Sequence, residues 1–187
     1  MNNGFTSPAS IGARLGLLAG LLCILYFLML YAVQKDLVIS FWVFAGYGII
    51  IFFKILAVHL AWKGGGNRLE FKKGLQAAFL VSVTSMALWI LFFHILFAFI
   101  DTELNLLAKE KALQRIEKFM SMAGAPDDKI EEALELAEQR NYAPSFSSDA
   151  MNYAWSLIIG FLYAAVIGAI YHYAGRKTPP LQKPDAA

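Results

Sequence analysis

Apolar and polar positions in this chain segregate on the scale of whole helices. Four runs hold almost no charge, at about residues 13–33, 38–62, 74–100 and 151–174. Each has the roughly 20 residues that a helix needs to cross a hydrocarbon core about 30 Å thick. The third run exceeds that thickness at about 1.5 Å per residue, so tilt is expected. Only Gln34, Lys35 and Asp36 separate the first two runs. So short a link makes the second helix return antiparallel beside the first.

Residues 101–150 have a different character. Leu106, Leu113, Ile116 and Met120 recur at helical spacing among charges. Ala123 and Gly124 break that helix. Pro126, Asp127 and Asp128 start another, because proline fits a first turn and acids suit the positive helix end. Ile130, Leu134 and Ala137 give the second helix an apolar stripe. The pattern predicts an αα-hairpin whose stripes pack together, with a partner-binding groove as the alternative. Asn141 to Ser148 is turn-rich and leads to the fourth run. Residues 175–187, with Pro179, Pro180 and Pro184, read as a disordered tail. The expected fold is therefore all-α: an integral membrane four-helix bundle, with an extramembrane αα-hairpin insert between its third and fourth transmembrane helices.

Composition agrees with a chain that meets two solvents. Apolar residues make up 58% and charged residues 16%, against about 25% charged in soluble domains. Mean hydropathy is +0.54. A net charge of +2 argues against nucleic acid as a partner. Cys23 is the only cysteine, which excludes an internal disulfide and a cysteine-based metal site. The first run is longer than the roughly 7–15 residues of a signal-peptide core, and no small-x-small cleavage site follows it. It reads as a retained crossing.

Charge also predicts a direction, since lysine and arginine in short loops favour the cytoplasmic side. Lys63, Arg68, Lys72 and Lys73 lie between crossings two and three, against Glu70. Arg14 precedes crossing one. Arg176, Lys177 and Lys183 follow crossing four, against Asp185. Four crossings put these segments on one side. The insert carries eleven acids and six bases and falls on the other. The expected place is a bacterial cytoplasmic (inner) membrane, with both termini cytoplasmic and the acidic hairpin outside.

Several residues are candidates for contact or chemistry. Gly12, Gly16 and Gly20 form a GxxxGxxxG series. Ser156, Gly160, Ala164 and Gly168 form a second small stripe, and Gly74, Ala78 and Ser82 a weaker third. Such stripes let helix backbones approach closely. Packing within one bundle is the expected use, and a homo-oligomer the alternative. Lys54 is an ionisable group roughly 12 Å from the inner end of crossing two. Such a group is costly in a membrane. It is expected to snorkel or pair internally, or else to bind an anion or lipid headgroup. Glu70 is its nearest conceivable acid by sequence. His59 and His172 fall near inner helix ends and His94 near an outer one. A His59–His172 metal or proton site is the alternative to ordinary interfacial histidines, and it lacks a nearby carboxylate. Together with Lys54, the candidates for lipid or anion contact are His59, Lys63, Arg68, Lys72, Lys73, His172, Arg176 and Lys177. Gly64 to Gly66 lack the pattern of a phosphate loop. No nucleophile–base constellation and no broken-helix repeat stand out, so neither an enzyme nor a bound cofactor is expected.

Three segments carry a family resemblance: ILAVHLAWKGGGNRLEFKKGLQAAFLVS, the insert containing APDDKIEEALELAE, and the final crossing SLIIGFLYAAVIGAIYHY. Together they resemble a family of small membrane proteins of Bacteroidota, known only as domain of unknown function family 4199. The resemblance implies an inner-membrane protein with four crossings and supplies no catalytic residues. It also implies a link to polyprenol-phosphate glycosyltransferases, and so an accessory part in a cell-envelope process. The first expectation is thus a non-enzymatic accessory or scaffold subunit. Its hairpin would meet an envelope protein partner and its basic face membrane lipids. The second is a small transporter or lipid-handling protein using Lys54 and the inner-end histidines, which requires a cavity reaching Lys54.

Overall fold

The structure is a computed structural model that describes residues 7–140 and 142–176, apart from the side chains of 175 and 176. It contains six α-helices among the described residues: α1 (Pro8–Val33), α2 (Ala45–Gly64), α3 (Phe71–Ile95), α4 (Glu103–Met122), α5 (Asp127–Glu138) and α6 (Phe146–Arg176). No strand occurs among those residues. Two short 3-10 turns, Lys35–Ile39 and Phe41–Phe44, link α1 to α2. A π-helical turn, Leu96–Ile100, extends α3.

Four segments are long and apolar enough to cross a membrane: Pro8–Val33, Phe41–Gly64, Phe71–Ile100 and Phe146–Ala174. This is the pattern of a multi-pass membrane protein. Three of the helices start earlier than the apolar runs, at Pro8, Phe71 and Phe146. Local chemistry explains the first. Ser7 accepts a hydrogen bond from the Ser10 N–H at 3.2 Å, and Pro8 occupies the first turn, where its missing N–H costs nothing. Leu17, Leu21, Leu25 and Met29 stand exposed along α1. An apolar face of that extent is untenable in water and suits contact with lipid.

α3 is the hub and packs against α1, α2 and α6. The glycines explain how. A Cβ on Gly12 would overlap the Ala77 carbonyl, one on Gly16 would overlap Val81 and Thr84, and one on Gly20 would come within 3.2 Å of the Ser85 Cα. The ascending order on both helices makes α1 and α3 parallel. On the other side a Cβ on Gly160 would lie 2.7 Å from the Ser82 Oγ, and one on Gly168 would lie 3.0 Å from the Leu75 N. Here the order descends, so α6 runs antiparallel to α3. The face bearing Gly12, Gly16 and Gly20 is filled by α3 of the same chain. Cys23 is buried too, its thiol facing the Gly46 carbonyl at 3.4 Å.

A second apolar cluster closes the end of the bundle near the α1–α2 link. Phe27, Leu30, Val38, Leu96 and Leu104 are buried there, with Phe27 edge-on to Trp89 and Phe93. Leu104 belongs to α4, so α4 is anchored at its base. Lys111 of α4 pairs with Asp36 at 3.0 Å, and Arg115 donates to the Ile39 carbonyl. α4 and α5 pack on each other. Between them Gly124 takes φ +71°, and the N–H groups of Gly124 and Ala125 bond back to Ser121 and Met120. This is a Schellman stop, which requires a residue that tolerates the left-handed region. Leu106, expected in the apolar stripe, is exposed instead. Leu104 and Leu107 make the docking contacts, because α4 packs on the bundle end as well as on α5.

A polar clasp holds the same end. Asp101 is buried just after the third apolar segment and accepts from the Tyr31 hydroxyl at 2.6 Å and from Lys35 Nζ at 2.6 Å. The hydrogen bond from Lys35 holds the Asp101 carboxyl below the usual carboxylate range, and the Tyr31 bond adds to this. Asp101 in turn raises the Lys35 ammonium above its ordinary value.

Candidate functional site

Lys54 sits near the middle of the segment Phe41–Gly64, about 15 Å from its Gly64 end at 1.5 Å per residue. Only 3% of it is exposed. Its Nζ donates to the Gly160 carbonyl at 3.4 Å and stands 5.3 Å from the centre of the Tyr163 ring. The side chain thus crosses to α6 and does not snorkel to a helix end. Among the described residues no carboxylate forms an ion pair with it. Glu70, its candidate partner by sequence, is exposed and bonds Lys73 at 2.8 Å instead. That hydrogen bond holds the Glu70 carboxyl below its ordinary value.

Lys54 lies in the wall of a cavity of about 380 Å³ between α2, α3 and α6. The rest of the wall is mainly apolar and aromatic, including Tyr47, Ile51, Met86, Ile159 and Tyr163. A second cavity of about 540 Å³ shares Tyr47, Met86, Ser156 and Ile159 with the first. It extends toward the α4–α5 end and is more polar there, with His94, Asp149, Asn152 and Trp155. His94 Nδ1 and Asp149 Oδ2 are 2.5 Å apart and tie α3 to α6 beside it. The two cavities adjoin at their shared residues and reach from that end down to Lys54.

Helix geometry positions these groups. Tyr47 and Lys54 are seven residues apart on α2, and so are Ser156 and Tyr163 on α6; that spacing puts each pair on one helix face. Ser82 completes the surroundings. Its hydroxyl is buried without a hydrogen-bond partner and packs against Gly160, which Lys54 also contacts.

The remaining candidates fall elsewhere. Gly12, Gly16 and Gly20 of α1 are buried against α3, and Gly160, Ala164 and Gly168 of α6 are buried as well. Ser156, expected as a packing residue, faces the cavities, and its Oγ donates to the Asn152 carbonyl of its own helix at 2.7 Å. His59 meets the Tyr171 hydroxyl at 3.5 Å beside Trp62, whereas His172 Nδ1 donates to the Leu69 carbonyl at 2.9 Å. Neither histidine lines the Lys54 cavity, so the structure does not bring Lys54 and these two histidines into one site. Lys63, Arg68, Lys72 and Lys73 are exposed around the opposite loop. The Arg176 side chain and Lys177 lie outside the described residues. Among the described residues no group of three or more His, Cys, Asp or Glu side chains could hold a metal ion. Tyr47, Met86, Asp149 and Tyr163 do not stand out in the sequence. The seven-residue spacings to Lys54 and Ser156 were the available signal for the tyrosines, and nothing local marked the others.

The family described as Protein of unknown function (DUF4199) matches residues 14–172, and the chain belongs to that family. No curated protein and no solved structure matches it.

Proposed function

We propose that this member of the family is a membrane-embedded binding protein, not a catalyst, that holds one anionic amphiphile between α2, α3 and α6 with Lys54 as its counter-charge. One observation carries the reading: a buried lysine at mid-helix, with a carbonyl as its hydrogen-bond partner, forms the wall of a cavity. A cation at that depth is costly unless compensated. An acidic group in the cavity supplies the compensation, and the apolar and aromatic walls suit a lipid-like body. The volume falls within the roughly 300–1,000 Å³ typical of ligand pockets.

The test is to purify the full chain in mild detergent and identify co-extracted lipids by mass spectrometry. Wild type should carry an anionic species that Lys54→Met carries at least tenfold less. Methionine keeps most of the side-chain volume, so the fold should tolerate it. Equal recovery from both proteins overturns the reading.

The basic charges at Lys63, Arg68, Lys72 and Lys73 support an inner-membrane orientation with both termini cytoplasmic. A C-terminal reporter active only outside the cytoplasm should then stay silent, and a strong signal reverses the direction. An accessory role is the second reading. It is favoured by Phe119, Met122 and Leu136, which stand exposed on α4 and α5 and suit an envelope protein partner. Their replacement by serine should abolish co-purification of such a partner while the protein stays inserted. Unchanged co-purification removes this reading.

A further inference from the structure

The insert is acidic overall, yet its charges are not mixed. α5 carries six acids against Lys129, whereas α4 carries Lys109, Lys111, Arg115 and Lys118 against three acids. Lys111, Arg115 and Lys118 recur at four- and three-residue spacing, so they share one face of α4. That face meets the α1–α2 link and forms a groove of about 420 Å³. Gln34, Ser40 and Phe41 line the groove from the link. Its one acid, Asp36, is paired with Lys111. Arg115 uses one donor on the Ile39 carbonyl, and Lys118 is exposed with no ion pair among the described residues. Two positive charges therefore remain uncompensated in a concave site.

We propose that this groove binds the phosphate group of a lipid at the membrane surface. The link falls between the apolar segments ending at Val33 and starting at Phe41, which sets it at headgroup depth. Phe41, Trp42 and Phe44 stand exposed beside it, and tryptophan favours the headgroup level of the membrane–water boundary. Phe41 lines the groove and also begins the apolar segment, so the cationic floor continues into a surface suited to acyl chains. Free phosphate would satisfy the cations but leave that aromatic surface unused. The site is at the opposite end of the bundle from Lys63–Lys73, and it does not depend on the Lys54 reading.

The experiment titrates the full chain in detergent with phosphatidylglycerol, phosphatidylcholine or inorganic phosphate, and counts bound lipid by native mass spectrometry. Each cation near a membrane surface supports about fivefold in affinity. Lys118→Gln should therefore weaken binding of one phosphatidylglycerol by about that factor, and Lys118→Arg should restore it. Arg115→Gln should do the same or more. Lys118 is exposed, so its variant keeps the test open even if Arg115→Gln disturbs folding. Lys54→Met should leave this lipid in place, which separates the two sites. Unchanged phosphatidylglycerol binding in Lys118→Gln overturns the proposal. Displacement of the lipid by millimolar inorganic phosphate overturns the lipid as the occupant.

Discussion

α1 and α6 both present small residues every fourth position, and both present them to α3, yet they meet it differently. Along α1 the match is continuous: Gly12, Gly16 and Gly20 step past Ala77, Val81 and Ser85 without interruption. Along α6 the register descends: Gly168 faces Gly74, Gly160 faces Ser82, and Ala164 between them is fully buried. One step further the same register sets Ser156 opposite Met86. There α3 no longer offers a small residue, and cavity space replaces the close seam. Both cavities have Ser156 and Met86 in their walls. A small-residue stripe closes a seam only while its partner keeps step, and where the partner changes, the same stripe opens a site.

The largest expected effect comes from breaking the closed seam. Gly16→Val forces side-chain atoms into the Val81 backbone and Thr84, and backbone cannot yield as a flexible side chain would. Overpacking a close-packed interior costs about 1–3 kcal/mol, and this site should fall at the upper end. Unfolding in mixed micelles measures it. A Gly16→Val protein as stable as wild type would mean that α1 and α3 are not in this register.

The end of that seam beside the α1–α2 link is expected to show a smaller, pH-dependent effect. Asp101 is held below the ordinary carboxylate value by Lys35 and Tyr31. Its stabilising contribution is therefore full above the unfolded value of about 3.9 and is lost as pH falls through the lower folded value. Lys35 is raised, so its contribution is full below about 10.4 and is lost as pH rises through its higher folded value. Asp101→Asn should lower the thermal midpoint at pH 7 and flatten the acid limb of the midpoint–pH curve. An acid limb equally steep in both proteins would show that other carboxylates control it.

Hydropathy alone made the four apolar helices legible, because a segment that meets lipid must be apolar all round. The glycine stripes were legible as seams, but their partners were not. Pairing Gly16 with Val81 or Gly160 with Ser82 needs the inter-helix register, and no local pattern fixes that. Lys54 stood out by its charge, yet sequence left open whether it turned to a helix end or to α6. The docking of α4 was hidden for a different reason. Its inward face mixes Leu104 and Leu107 with Lys111 and Arg115, so it reads as an ordinary solvated helix. The Tyr31–Lys35–Asp101 clasp joins positions seventy residues apart, a distance that helical spacing does not encode.

The smallest expected effect on stability is on the open side, and it sharpens the contrast most. Ser156 satisfies its hydroxyl within its own helix and otherwise faces cavity space. Ser156→Val adds little bulk and meets no backbone. Its stability cost should stay within about 0.5 kcal/mol, as for substitutions away from close packing. Its effect on binding should be larger, because the added methyl groups narrow the junction where the two cavities meet above Lys54. Thermal unfolding and lipid recovery, measured on one preparation, separate the two effects. If Ser156→Val destabilised the protein as much as Gly16→Val, α6 would pack as closely there as α1 does, and no opening would be left to reach Lys54.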